Sequence, residues 1–546
     1  MRPRLAIVVA GLSVVLLRLA ILPVCPIPLP FNPDDFSFLL AADTFAAGRV
    51  TNPTPVMWPH FESMHITMYP TYVSMYFPAQ GLLLAAGKVL LGHPWFGLLI
   101  VDGLMCAALC WMLQAWLPKN WAFAGAKIAV LRLGLFSYWI NSYTGAGCVA
   151  ALGGALVLGA LPRLIRGGRL ANGWWLALGI SILILSRPYE GFLLCVPTAA
   201  VLGHWLLFGK NRPSPAAMLR ATALPLLVVV VTGSWMAYYD YRSFGSPLTL
   251  PYTIDRAQYA VTPYYVWQSL RPEPAYRHAV MRDFYTRQEM KVFREVHNVS
   301  TFVPRTLGKV FGALQFYAGP ALLIPLIMIR RILLDKRIRF LVVCLAVLCA
   351  GMVIEIYLVA HYLAVFTCVM YAIGLQAMRH LRVWEPGGRP VGLALVRTAL
   401  TVCVIMAVIR LGARPLGIAP FERPESEWMG LWYGPEHFGA DRANVQSQLE
   451  HSPGKHLVLV RYDLATHWSV DEWVSNSPDI DNSKVIWARE MDKDNNQELI
   501  RHYSDRQVWL VQPDLSTGIL TRYPGFQRLG SSPPEFASSD AAPITK

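Results

Sequence analysis

The chain has 546 residues, 54% of them hydrophobic and only 15% charged, proportions that exclude an ordinary water-soluble protein and indicate a polytopic membrane protein. Its net charge of +14 is uneven: from Ala413 onward 19 Asp+Glu face 13 Lys+Arg, a net −6, which leaves +20 on the first 412 residues. That excess lies in short loops between apolar runs, where it marks sidedness, so no nucleic-acid partner is expected.

The first apolar run, Leu5 to about Val24, follows Arg2 and Arg4 and is long enough to remain as a membrane anchor. Arg18 within it either snorkels to the surface or faces a site and helps hold a phosphate. Next comes a polar outer loop, about 26–94, that opens with Asn32-Pro33-Asp34-Asp35. The same loop holds His60, Glu62, His65, the aromatics from Tyr69 to Phe77 and the turn Pro78-Ala79-Gln80-Gly81. Adjacent acids with histidines and aromatics at a membrane edge suit an enzyme that handles a lipid-linked substrate. The bland alternative is a helix N-cap, with Asp34 or Asp35 accepting backbone N–H bonds.

Residues 80–92 are apolar but short. Basic loops at Arg163–Arg169, Lys210–Arg220, Arg330–Arg339 and Arg379–Arg389 fall on one side only if that stretch lies along the membrane without crossing it. Eleven spans result, at about 5–24, 95–116, 121–139, 145–165, 170–186, 190–208, 217–238, 306–329, 340–357, 361–378 and 392–412, with the N-terminus inside. Asp102 and Arg132 sit at similar depths in the second and third spans and are expected to pair. The outer turn Ser186-Arg187-Pro188-Tyr189-Glu190 offers either a fork for a lipid phosphate or an Arg187–Glu190 brace.

A second outer loop, about 240–305, is crowded with tyrosines. It either lies at headgroup level or stacks against a sugar, and Tyr276-Arg277-His278 is its candidate contact. A late outer turn adds Glu355, His361 and Tyr362 to the same face. From Ala413 the composition becomes that of a soluble domain, 413–546. Short apolar runs at 456–460, 484–488 and 507–511 alternate with helical stretches near 440–451 and 495–504, which predicts a small α/β layer with parallel strands. The nine cysteines lie in or beside apolar runs and show neither disulfide nor metal spacing.

An acidic pair opening the first outer loop, a proline turn later in it, an Arg-Pro outer turn and a soluble tail together resemble the GT-C glycosyltransferases. Within them the chain is similar to the bacterial protein-mannosyltransferase-like and aminoarabinose-transferase-like branch. The specific part is short: Asp34-Asp35 and Tyr76-Phe77-Pro78-Ala79-Gln80-Gly81. The resemblance implies a GT-C-like membrane domain, 1–412, whose catalytic loop is 26–94, followed by a periplasmic α/β domain in a bacterial inner membrane. It implies a polyprenyl-phosphate sugar as donor, an acceptor hydroxyl on protein, lipid or glycan, and Asp34 and Asp35 as the catalytic acids. Substrate contacts are then expected from Glu62, His65, Tyr76, Gln80, Arg187, Glu190, His278, His361 and Tyr362. Met75 stands where many relatives carry a lysine for the lipid phosphate, so Arg187, Arg18 or His65 has to supply that cation. No cofactor is required, although Asp34 and Asp35 with His65 leave room for a divalent metal. The competing readings are a transporter or lipid flippase, with ionisable groups along a midplane path, and a non-catalytic envelope-assembly protein.

Overall fold

The computed structural model describes residues 2–167, 170–209, 212–413, 415–416, 438–467, 470–515 and 520–524. The stretches 417–437 and 525–546 of the expected tail domain lie outside them. The protein is mainly helical, with a small sheet near the C-terminus. Among the described residues eight helices are long and apolar enough to cross a bilayer. A ninth crossing is made if Val299–Tyr317 and Gly319–Leu334, bent by 103°, count as one.

All eleven predicted spans coincide with helices, but two of them shrink. They are Gly173–Ser186 and Arg339–Val353, of 14 and 15 residues. At 1.5 Å per residue these measure about 21–23 Å, against about 30 Å of hydrocarbon. Eleven is therefore two or three more than helix length supports, because turn residues at 170–172 and 354–357 extended both runs in the sequence. The stretch 80–92 belongs to a third short helix, Pro78–Leu91.

The expected Asp102–Arg132 pair is not formed. Arg132 donates instead to the carbonyls of Gln315, Phe316 and Tyr317, at 3.0, 2.7 and 3.3 Å. The chain breaks there between the two bent helices, which strips those carbonyls of helical partners, and a guanidinium fork satisfies several at once. Gly319, at φ 63°, makes the approach feasible, since a Cβ there would lie 2.7 Å from Arg132 Nη1. Asp102 lies against Cys148 Sγ, 3.5 Å away. Arg18 neither snorkels nor faces the acids. It is fully buried, donating to the carbonyls of Cys25 and Pro26 and to Asn141 Oδ1, and so ties down the chain leaving the first helix.

The outer loop is folded. Asn32 caps the helix Pro33–Ala46 by accepting from the Asp35 backbone N–H at 2.8 Å, and Pro33 occupies the first turn, where its missing N–H costs nothing. A two-stranded antiparallel hairpin follows, β1 (Ile66–Thr67) and β2 (Val73–Ser74).

In the tail, the strands β3 (Lys455–Val460), β4 (Val485–Arg489) and β5 (Arg506–Val511) match the predicted runs to within a residue or two. A short β6 (Leu520–Arg522) completes the order β4-β3-β5-β6, in which β3 pairs in parallel with both β4 and β5. Alternate residues serve opposite faces. Val458, Val460, Trp487 and Trp509 pack under the helix Ala440–His451, through Val445 and Leu449. Leu457, Leu459, Ile486 and Leu510 share a core with Met57, Phe61, Ile66 and Tyr72 of the first outer loop. The tail is thus not a free appendage, because one face of its sheet is buried by the loop that carries the acids.

Candidate active site

The Asp35 side chain is fully buried. Its Oδ1 accepts from Ser142 Oγ, Tyr143 N–H and Thr144 Oγ1 at 3.1, 2.9 and 2.8 Å, and its Oδ2 from Asn32 Nδ2 and Phe31 N–H at 3.1 and 3.4 Å. Burial nevertheless pushes its pKa up to about 7. Gln80 serves the same bracing, since it donates to the Tyr143 carbonyl.

Asp34, the preceding residue, points elsewhere and keeps 22% of its side chain exposed. Its Oδ1 is held at 2.5 Å by both His65 Nδ1 and the Tyr76 hydroxyl. Among the described residues no donor reaches its Oδ2. Burial raises the Asp34 pKa, but the charge and hydrogen bond of His65, with help from Tyr76, bring it below its ordinary value. For His65 the balance is reversed: burial lowers its pKa, while Asp34 raises it above the usual imidazole range. The two form an ion pair. His65 itself sits at φ 64°, a backbone region costly for a side-chain-bearing residue and tolerated where neighbours over-determine it. Here its carbonyl accepts from Ser37 Oγ and Met75 N–H.

The late turns close the other side. Arg187 lies 3.7 Å from Glu190, donates to the Gly145 carbonyl at 2.9 Å and stacks 4.6 Å from the Tyr362 ring. His361 Nδ1 is 2.8 Å from the Tyr138 hydroxyl. Gly145, at φ 89°, fits only as glycine, because a Cβ would stand 2.5 Å from the His361 ring. Tyr252 joins the halves, edge-on to Tyr76 at 5.9 Å and to Tyr264 at 5.9 Å. Of the residues expected from the sequence, Asp34, His65, Tyr76, Arg187, Glu190, His361 and Tyr362 converge on this region. Glu62 and His278 instead form a separate outer network, 3.4 Å apart, with Arg277 and Tyr259.

The sequence reading missed Tyr138, Gly145, Asp255 and Lys309. Gly145-Ala146-Gly147 was a turn signal available for the second of these. Asp255 is 1% exposed, and among the described residues neither carboxylate oxygen has a hydrogen-bond partner. Burial raises its pKa to about 6, countered by the charge of nearby His65. Among the described residues, Lys309 is the one charged side chain lining an apolar groove of about 330 Å³ beside the bent helix pair, walled by Leu314, Leu322, Leu348, Met352 and Met370. Its ammonium donates to the Glu355 carbonyl at 2.7 Å. Leu358 and Leu363, on the same groove, flank His361 and Tyr362 in the chain.

Asp35 is committed to five donors, so Asp34 and His65, with Asp255 near His65, are the side chains here of a kind that could ligate a divalent metal. No group of three metal-ligating side chains occurs among the described residues.

No family model and no curated sequence matches the chain. In structure it is similar to ArnT from Cupriavidus metallidurans in the apo state, at 12% identity and TM-score 0.48, with 92% of each chain covered. It is also similar to the oligosaccharyltransferase of Archaeoglobus fulgidus. With a tethered acceptor peptide containing the NVT sequon, the figures are 11% identity, TM-score 0.46, and 92% of this chain on 68% of that one. In the complex with an inhibitory peptide and a dolichol-phosphate they are 11%, 0.44, 93% and 69%. Scores below one half assign this chain neither an activity nor a substrate.

Proposed function

We propose that the chain is an inverting membrane glycosyltransferase that moves a sugar from a polyprenyl-phosphate-linked donor to an acceptor hydroxyl at the outer face of a bacterial inner membrane. On this reading the N-terminus is cytoplasmic, and the tail from 413 onward lies outside with the first outer loop. The observation that carries the proposal is Asp34: one oxygen fixed by His65 and Tyr76, the other open, beside Arg187 and His361. The groove rimmed by Lys309, which suits one long apolar chain with an anionic head, supports a lipid-linked donor.

In the reaction, the open Asp34 oxygen accepts a hydrogen bond from the acceptor hydroxyl and aligns it on the anomeric carbon. As the new C–O bond forms, the anomeric C–O bond to phosphate breaks, the polyprenyl phosphate leaves with the electron pair, and the acceptor proton passes to Asp34. On this reading Lys309 and Arg187 stabilise the departing phosphate, a task for which the sequence suggested Arg187, Arg18 or His65. Arg18 is occupied by the carbonyls after the first helix, and His65 by Asp34. Transport gains less support, because the titratable groups gather in the outer loops and not along a midplane path.

The test is sugar transfer by the purified protein in lipid nanodiscs from a radiolabelled polyprenyl-phosphate sugar pool. Wild type is expected to release labelled product, and Lys309→Gln to weaken use of the donor through KM. Absence of transfer from every donor in the pool refutes the reading.

A further inference from the structure

The segment Tyr276-Arg277-His278 takes no part in the Asp34 site, yet it helps wall a second cavity. This is an outward-facing cleft of about 390 Å³ between the first and second outer loops, lined by Trp58, Glu62, Tyr69, Gln258, Tyr276 and Arg277. We propose that this cleft binds a saccharide, the chain that bears the acceptor hydroxyl. Its role as acceptor site rests on the glycosyltransferase reading, whereas the binding itself does not.

The chemistry of the walls favours a polyhydroxylated ring. Trp58, Tyr69 and Tyr276 offer ring surface to its C–H groups, although Arg277 covers one face of Trp58 and Tyr285 stacks on Tyr276, while a carboxylate, a carboxamide and a guanidinium offer both acceptors and donors to its hydroxyls. The carboxylate is fixed in place: Glu62 is 2% exposed, accepts from the Tyr259 hydroxyl at 3.1 Å, and has Arg277 Nη1 and His278 Nε2 each 3.4 Å away. Tyr69, by contrast, is 62% exposed. The Arg277 side chain, 45% exposed, lies over the Trp58 ring at 4.5 Å.

A peptide would be read largely through its main chain. Two carbonyls at the cleft are already taken: Gln258 Nε2 donates to Tyr69 O, and the Tyr276 hydroxyl to Tyr259 O, each at 2.5 Å. What the cleft presents is therefore mostly side chain. A free anion is disfavoured too, because Glu62 offsets Arg277.

The cleft and the Asp34 site are neighbours. Tyr259 and Met281, which line the cleft, share a small core with Met64, the residue before His65. Glu62 stands three residues before His65, so their Cα atoms are at most about 11 Å apart. A chain seated in the cleft therefore has its end close to Asp34, which suits an extended acceptor better than a single sugar.

The experiment is binding of cello-, malto-, chito- and manno-tetraose to the full-length protein in nanodiscs, followed by saturation-transfer NMR and tryptophan fluorescence. The variants are Tyr69→Ala and Gln258→Ala, neither of which belongs to the Asp34 machinery, with Asp34→Asn as control. At least one tetraose is expected to bind, with affinity reduced about tenfold in each cleft variant and unchanged in Asp34→Asn. Failure of all four to bind, equal binding by the cleft variants, or displacement by an unstructured peptide at equal affinity overturns the proposal. Binding without transfer from any donor leaves the cleft standing and removes the glycosyltransferase reading. Transfer with an acceptor KM unaltered by both cleft variants does the reverse.

Discussion

Replacing Asp34 and Asp35 singly by asparagine tests the proposed division between a reacting carboxylate at 34 and a structural one at 35. Asparagine at 34 keeps an oxygen for Tyr76, but it cannot take up the acceptor proton and it removes the charge that holds His65 protonated. Loss of general-base assistance lowers the transfer rate by about 10²–10⁴-fold. The fold loses one charge-assisted hydrogen bond at a side chain 22% exposed, so its cost lies toward the low end of about 1.5–3 kcal/mol. Asparagine at 35 acts the other way. With its oxygen kept on Ser142, Tyr143 and Thr144, its amide group faces the Phe31 N–H and Asn32 Nδ2, which stood 3.4 and 3.1 Å from a carboxylate oxygen. Two buried donors are then unmet at about 1–3 kcal/mol each, a large share of a typical stability of roughly 5–15 kcal/mol. Thermal unfolding in detergent and transfer rates at matched protein amounts measure both effects. Asp34→Asn is expected to melt near wild type and transfer almost nothing, and Asp35→Asn to melt well below it. Transfer by Asp34→Asn at close to the wild-type rate, or an unchanged melt for Asp35→Asn, refutes the division of roles.

The Asp34–His65 pair sets a pH window. Asp34's pKa is depressed below 3.8, so its contribution is complete above that value and lost as pH falls through the folded pKa; His65's is raised above 6.5, so its contribution is complete below that value and lost as pH rises through the folded pKa. The stability difference between wild type and His65→Gln, from denaturant melts across pH, should therefore be largest between about pH 3.8 and 6.5. Gly145→Ala should abolish most transfer, since its Cβ would strike the His361 ring and its φ is left-handed; the expected loss of stability is about 1–3 kcal/mol, read from the melting curve. Glu472→Gln should loosen the tail from the first loop. Arg489 pairs with Glu472 at 2.6 Å and also donates to the Glu62 carbonyl, while Ser63 Oγ donates to Glu472 at 3.0 Å. Breaking a buried ion pair costs about 3–5 kcal/mol, and limited proteolysis should then cut the tail faster.

The membrane class and most of the helices follow from composition and apolar run length alone, because lipid allows few alternatives to a helix of that length. The tail strands were equally legible: 456–460, 484–488 and 507–511 are short apolar runs bounded by turns, and parallel pairing follows from the long connections between them. Asp34-Asp35 was visible as a pair, but its division of labour was not. Adjacent residues on a helix point about 100° apart, and only the fold shows that one side chain meets the Ser142–Thr144 turn and the other meets His65. The same limit explains Asp102 and Arg132. Equal depth suggested a pair, yet Arg132 is claimed by carbonyls exposed where a helix breaks, and that bend is not written in any hydropathy pattern. Lys309, Asp255 and Gly145 acquire meaning only from neighbours some 45 to 220 positions away in the chain. Local sequence fixes which segments are helical, stranded or polar, since those preferences act within a few residues. Which polar groups face one another is decided by packing between distant segments, and so by the tertiary structure.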